Sequence, residues 1–307
     1  MARTGNSGGS VELTEGTDPA DAVQLLSDAA REAGNVLGAG GAPVDTFNRY
    51  LAWAAAQERL LGNLLTQREI ERLLTTRRYW AIQAMDPIAY GATMSDLIAL
   101  EVNGRIAAFN SAKADLEGEI GIWHVQSVDS TFPEDLHAVV VDTNVLMRSK
   151  GKLADADWPA LSGTHPTQSI AITIPAVVVE ELDDLKHSNG KMTVDGEAHD
   201  RKWLATLALG WLQRTFPSDE RRTLIREATI GESGAIPRLY AVLMSEPLDH
   251  VALPKADSEI IDTAFRLRPL AKSVTLVSYD THMVFAARHL GLRAALPPEP
   301  AEGAATL

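Results

Sequence analysis

The apolar run at residues 137–146, His-Ala-Val-Val-Val-Asp-Thr-Asn-Val-Leu, constrains the fold of this chain more than any other stretch. It is too short for an independent helix and is rich in Val, which is typical of a buried parallel strand. Asp142 stands at the carboxyl end of that strand. Because side chains from several loops converge where the strands of an open α/β sheet end, the run predicts an α/β domain with Asp142 at its functional edge.

Three later segments repeat this arrangement, each with an acid close to an apolar run or at a helix start. These acids are Glu181 near the run at 170–179, Asp257 after 252–256, and Asp280 after 273–279. Together with Asp142 they predict one acidic cluster. Gathered carboxylates repel each other, and a divalent cation relieves that repulsion. The chain has no cysteine, so a metal must use oxygen or imidazole ligands, and a carboxylate cluster favours Mg²⁺ or Mn²⁺.

Hydrophobic patterning divides the chain into regions. Apolar residues recur at helical spacing through the first third, where Thr66 and Glu69 form a capping box. From residue 137, runs of strand length alternate with helical stripes, which indicates a parallel sheet covered by helices. In that part we expect a helix at 196–216 and a strand at 225–230. The predicted order is a disordered start at 1–18, an all-helical domain at 19–120, a linker at 121–136, a three-layer α/β/α domain with a central parallel sheet at 137–295, and a flexible tail at 296–307.

Composition narrows the class of protein. The net charge of -13 argues against a protein that coats nucleic acid non-specifically, although it leaves room for a local basic surface. The start of the chain lacks an apolar signal segment, and no stretch approaches the ~18 apolar residues of a membrane span. We therefore expect a cytoplasmic protein without membrane contact. Four aromatic residues are expected in a core or an interface: Trp53, Tyr79, Trp80 and Trp123.

The segments that carry the four acids resemble the four acidic motifs of PIN domains, in the usual order. These segments are VDTNVL at 141–146, VEELDDLK at 179–186, DSEII at 257–261 and VSYD at 277–280. The resemblance covers about residues 137–295 and leaves the helical domain unexplained. It implies a three-layer fold and a metal-dependent ribonuclease that hydrolyses single-stranded or loop RNA. By the same resemblance Asp142, Glu181, Asp257 and Asp280 would hold the metal, while Thr143, Asn144 and Ser278 would orient ligands or water.

Several alternatives stay open at this point. Asp142 and Asp280 each precede a helix and could serve only as N-caps. The third motif has Asp257-Ser258 where a pair of Asp residues is often found, so Glu259 and Asp262 compete with Asp257. Helical spacing favours Asp257, because Asp262 lies one and a half turns further on.

An acidic site also needs positive charge at its rim to hold phosphates. Lys186 and Lys191 are the candidates for RNA binding, because they follow the helix that bears Glu181. The alternative is that they pair with Asp183 and Asp184 on a solvated face.

Other functions remain in competition with the ribonuclease. One is a non-catalytic PIN-like module that binds RNA or protein, and another is a metal-dependent nuclease acting on structured DNA. A protein partner for the helical domain and a homo-oligomer are both left open.

Overall fold

A computed structural model describes residues 11–38, 41–126, 133–231, 234–246 and 250–298. The described residues divide into two compact units, residues up to 121 in the first and from 122 onward in the second. The predicted helical region and the following α/β domain are confirmed. In the described part of the chain, none of the helices combines the length and apolar character that crossing a bilayer requires.

Helices make up the first region: α1 (Pro19–Gly38), α2 (Pro43–Leu61), α3 (Gln67–Leu73), α4 (Arg77–Gln83), α5 (Pro87–Tyr90) and α6 (Ala92–Trp123). The predicted N-cap is confirmed, because the Thr66 hydroxyl accepts the Glu69 N–H at the start of α3. The reciprocal half of the predicted capping box is wrong, because the Thr66 N–H donates to the Glu12 carbonyl and the Glu69 carboxylate accepts from Arg72 instead. Leu26, Tyr50 and Phe109 are fully buried in the core of this unit. Trp80 is 56% exposed and lies outside the core, whereas Tyr79, the preceding residue of α4, is buried.

The start of the chain differs from the expected disorder where it is described. Val11 is buried, and Leu13 forms a bridge with Leu65. The Thr14 N–H donates to the Leu64 carbonyl at 2.9 Å. Alternating apolar side chains therefore attach residues 11–17 to the turn after α2, while residues 1–10 lie outside the described residues.

The second unit contains both strands and helices. They are β1 (His124–Gln126), β2 (Pro133–Asp135), β3 (His137–Val141), α7 (Thr143–Arg148), α8 (Trp158–Ser162), β4 (Ile170–Ile174), α9 (Ala176–Leu185), β5 (Lys191–Val194), β6 (Glu197–Asp200), α10 (Arg201–Thr215), β7 (Arg222–Arg226), β8 (Thr229–Gly231), β9 (Gly234–Ile236), β10 (Leu239–Leu243), α11 (Ala256–Arg266), β11 (Ser273–Val277), α12 (Thr281–His289) and β12 (Arg293–Ala295).

Six of these strands form the central sheet in the order β12-β11-β3-β4-β10-β7. All neighbours are parallel except β10 and β7, which are antiparallel. Every residue of β3 and β4 is buried, as their continuous apolar sequences predict. Helices flank the sheet, with α11 against β3 and β11, and with α8 and α12 against β11 and β12. The predicted α/β/α architecture is therefore confirmed, but the sheet is mixed and not wholly parallel, because β7 runs antiparallel to β10.

Three segments differ from the sequence-based expectation. The helix expected at 196–216 begins only at Arg201, because Asp200 caps it and residues 191–200 form the β5–β6 hairpin. The single strand expected at 225–230 is the end of β7 followed by β8. Where it is described, the expected linker at 121–136 contains β1 and β2, which pair with each other. Of the expected tail, residues 299–307 lie outside the described residues.

Candidate metal and nuclease site

The topology gathers the four predicted acids at one edge of the sheet. Asp142 follows β3, Asp280 follows β11, and the helices α9 and α11 that bear Glu181 and Asp257 follow β4 and β10. These four strands are neighbours, in the order β11-β3-β4-β10. The carboxyl ends of adjacent parallel strands lie side by side, so the acids come from adjacent positions along one edge.

Asp142 is the most buried of the four, at 2% exposure. It caps α7, because one carboxylate oxygen accepts the Val145 N–H at 2.8 Å. The other oxygen accepts the Ser278 hydroxyl at 2.5 Å. Burial raises the pKa of the Asp142 carboxyl; hydrogen bonds from Ser278, Val145 and Asn144 oppose this effect, and the charge of Glu181 adds to it.

Glu181 is connected to the same strand end through a hydroxyl. The buried Thr143, first residue of α7, donates its hydroxyl to Glu181 Oε2. This contact joins α7 to α9, two helices that also pack against each other. The structure therefore brings Thr143 and Glu181 together beside Asp142.

Ser278 connects the fourth acid to the first. Its hydroxyl oxygen accepts the Asp280 N–H at 2.8 Å while its own proton is donated to Asp142. The Asp280 carboxylate caps α12, with Oδ1 accepting the His282 and Met283 N–H groups at 2.7 and 3.1 Å. Capping by Asp142 and Asp280 is thus real, but a cap uses one side of a carboxylate and leaves lone pairs for another ligand.

Asp257 lies half-buried in the first turn of α11. Its carboxylate has no hydrogen bond or ion pair to any other described residue. Its two competitors are engaged elsewhere. Glu259 is buried and accepts the Leu253 N–H at 2.7 Å, and Asp262 pairs with Arg266 at 3.1 Å. Of these three acids, Asp257 is the one whose carboxylate is not occupied by a neighbour.

A second group, which the sequence analysis did not single out, lies around the start of α11. Glu246, His250 and Glu259 bring ligand atoms within 4.8 Å of one another, and within the described part of the chain no other three carboxylate or imidazole groups do so. His250 Nε2 contacts Glu259, and Arg266 donates to both oxygens of Glu246 at 2.9 Å. The spacing across a loop gives no periodic signal that could have predicted this group. It ties the segment before α11 to the helix that carries Asp257.

The donor set at the sheet edge fits a divalent cation. No cation of the described residues lies within salt-bridge distance of the buried Asp142 carboxylate, whose partners are neutral hydroxyl and N–H groups. A buried charge without a counter-charge is costly, and a hard cation would offset that cost. No three of these four acids bring carboxylate oxygens within 4.8 Å of one another. An ion would therefore join oxygens that are held separately.

The two candidate lysines are placed differently. Lys186 pairs with Asp183 at 2.5 Å, which is the alternative that the sequence left open for it. This contact lowers the pKa of the Asp183 carboxyl. Lys191 begins β5 and is exposed, with no ion pair to any other described residue.

The comparisons with known proteins agree with this fold. The profile of the PIN domain family matches residues 139–296, which is about half of the chain and nearly all of the α/β region. The chain therefore belongs to the PIN domain family, and the resemblance drawn from its four motifs is confirmed. Its fold is that of a class of nucleases that are generally metal-dependent. No curated protein and no solved structure matched the chain.

Proposed function

We propose that this protein is a metal-dependent endoribonuclease that hydrolyses phosphodiester bonds of single-stranded or loop RNA. The observation that carries the proposal is the placement of Asp142, Glu181, Asp257 and Asp280 after four adjacent strands of the sheet. Mg²⁺ or Mn²⁺ held by these carboxylates would activate water and stabilise the negative charge that develops on the phosphate.

The chain's own residues would prepare this site. Ser278 holds one oxygen of Asp142 and the backbone of Asp280, so that one hydroxyl orients two of the acids. The Thr143 hydroxyl holds one oxygen of Glu181, and Asn144 adds a hydrogen bond to Asp142. Preorganised ligands lose little freedom on binding a cation, which favours a defined geometry.

Substrate binding would depend on cations near the same edge. Lys191 is the better placed of the two lysines, because its ammonium has no carboxylate partner among the described residues. Lys186 would have to leave Asp183 in order to contact a phosphate. RNA is therefore the partner that we propose for this surface.

Incubating the purified protein with labelled single-stranded RNA, and separately with DNA, tests the proposal when Mg²⁺, Mn²⁺ or EDTA is added. We expect metal-dependent cleavage of RNA at internal positions and no cleavage in EDTA. Cleavage of structured DNA in preference to RNA would identify a different nuclease. RNA binding without cleavage in either metal would identify a non-catalytic module.

A further inference from the structure

Arg148 is a cation near the acidic edge that has no acidic partner among the described residues. It is the last residue of α7, and its guanidinium carbon lies 4.3 Å from the centroid of the Tyr279 ring. Its Nε is buried without a hydrogen-bond partner, and no described residue accepts a hydrogen bond from the rest of the guanidinium. Two other arginines of this unit differ from it, because Arg226 donates to a carbonyl and Arg266 to a carboxylate.

The position of Arg148 follows from the elements around it. Asp142 caps the helix that Arg148 ends, so the two Cα atoms are roughly 9 Å apart for six residues at helical rise. Long side chains on a helix point back toward its N-terminus, which here is the end that carries Asp142. Tyr279 lies between Ser278 and Asp280 in the chain, and the Ser278 hydroxyl donates to Asp142. The guanidinium therefore lies against a ring whose two chain neighbours, Ser278 and Asp280, belong to the acidic edge of the sheet.

A guanidinium in this setting suits a phosphate. Its planar fork of N–H groups matches two phosphate oxygens, and stacking on an aromatic ring fixes the plane of the fork. Carboxylates alone repel a polyanion, and the chain as a whole carries a net charge of -13. A cation with no carboxylate to neutralise it is what a backbone phosphate near this edge requires.

We propose that Arg148, stacked on Tyr279, binds a backbone phosphate of the RNA strand that lies across the acidic edge. This assignment rests on the proposed function and adds a substrate-binding residue to it. The competing role is purely structural, because a ring contact and a cation in the last turn of a helix both stabilise α7 without any ligand. A structural role would change thermal stability but not the salt dependence of RNA binding.

The two roles are separated by a salt titration of RNA affinity, measured with labelled single-stranded RNA in an Asp142→Asn background so that no strand is cut. Arg148→Gln keeps a planar end group over Tyr279 and removes the charge. We expect it to weaken binding about tenfold and to lower the slope of log affinity against log salt by about 0.7, the value for one phosphate of a single strand. Arg148→Lys returns the charge and should return the slope.

Arg268→Gln is the matched control. Arg268 also lies over an aromatic ring, that of Phe265, but it precedes β11 at the opposite end of the parallel strands. The Arg268→Gln variant should leave both the RNA affinity and its salt slope unchanged. An unchanged slope in Arg148→Gln, or a slope in Arg148→Lys that stays as low as in Arg148→Gln, would overturn the phosphate role. If the parent Asp142→Asn protein itself bound no RNA, the proposed function would fail and this assignment with it.

Discussion

His137 gives the strand that carries Asp142 a defined sensitivity to acid. It is the first residue of β3 and is fully buried, with Nδ1 against the Ser273 hydroxyl on β11. Its Nε2 is buried and has no hydrogen-bond partner among the described residues. A proton on that nitrogen would bring an unpaired charge into the sheet. Burial, with the charge of Arg293 as a second cause, accordingly lowers the pKa of His137 from 6.5 to about 4.

The sign and size of the effect follow from this difference. As the pH falls below 6.5, the imidazole of the unfolded chain takes up a proton, whereas the folded one stays neutral until about pH 4. Protons therefore favour the unfolded state, and stability is lost with acidification across that window. Each pH unit is worth about 1.4 kcal/mol. The whole window then costs the folded state about 3 kcal/mol.

Urea unfolding of the wild type and of His137→Asn at pH 7 and pH 4.5 measures this effect. The Asn variant loses buried volume at both pH values, so that cost cancels when each protein is compared with itself. We expect the wild type to lose about 2 to 3 kcal/mol more than the variant on acidification. His165→Asn, at an exposed position, is the control and should behave as the wild type does. Equal losses in wild type and His137→Asn would refute the reasoning.

Three further outcomes are expected. Without metal, Asp142→Asn should raise the thermal midpoint at pH 7. Burial raises the pKa of Asp142, so its ionised form destabilises the folded state as the pH rises through that pKa, whereas Asn caps a helix equally well. An unchanged or lower midpoint would contradict this. Mn²⁺ should raise the midpoint of the wild type, because a ligand at a hundred times its dissociation constant adds about 2.7 kcal/mol to the free energy of unfolding, and Asp142→Asn should abolish that rise in calorimetry. In RNA binding, Lys191→Ala should lower the salt slope by about 0.7, whereas Lys186→Ala should lower it less because Asp183 already holds Lys186; equal slopes in all three proteins would remove both lysines from the RNA surface.

The sequence predicted the sheet because its strands are short, Val-rich and buried on both faces. β3 and β4 are continuous apolar runs, which few other structures accommodate. The β5–β6 hairpin was missed because its strands are polar. Its turn carried a usable signal, since Asp195 and Gly196 both have positive φ, as an Asp-Gly hairpin turn requires.

The candidate site divides in the same way. An acid at a strand end can be recognised along the chain, so Asp142 and Asp280 were predictable as members of one edge. The contacts of Ser278 with Asp142, and of Arg148 with Tyr279, join residues more than 130 positions apart. No local pattern encodes such contacts, because they arise only when β3 and β11 become neighbours.

Cleavage of labelled RNA by Asp142→Asn tests most directly whether the acidic edge carries a metal-dependent nuclease activity. The matched control is Asp262→Asn, which removes an acid of α11 that pairs with Arg266. With Mn²⁺ present, we expect the wild type and Asp262→Asn to cleave at similar rates. We expect Asp142→Asn to cleave at least about a hundredfold more slowly, because it loses the charge of a metal ligand. Cleavage by Asp142→Asn at the wild-type rate, or cleavage that persists in EDTA, would contradict the account.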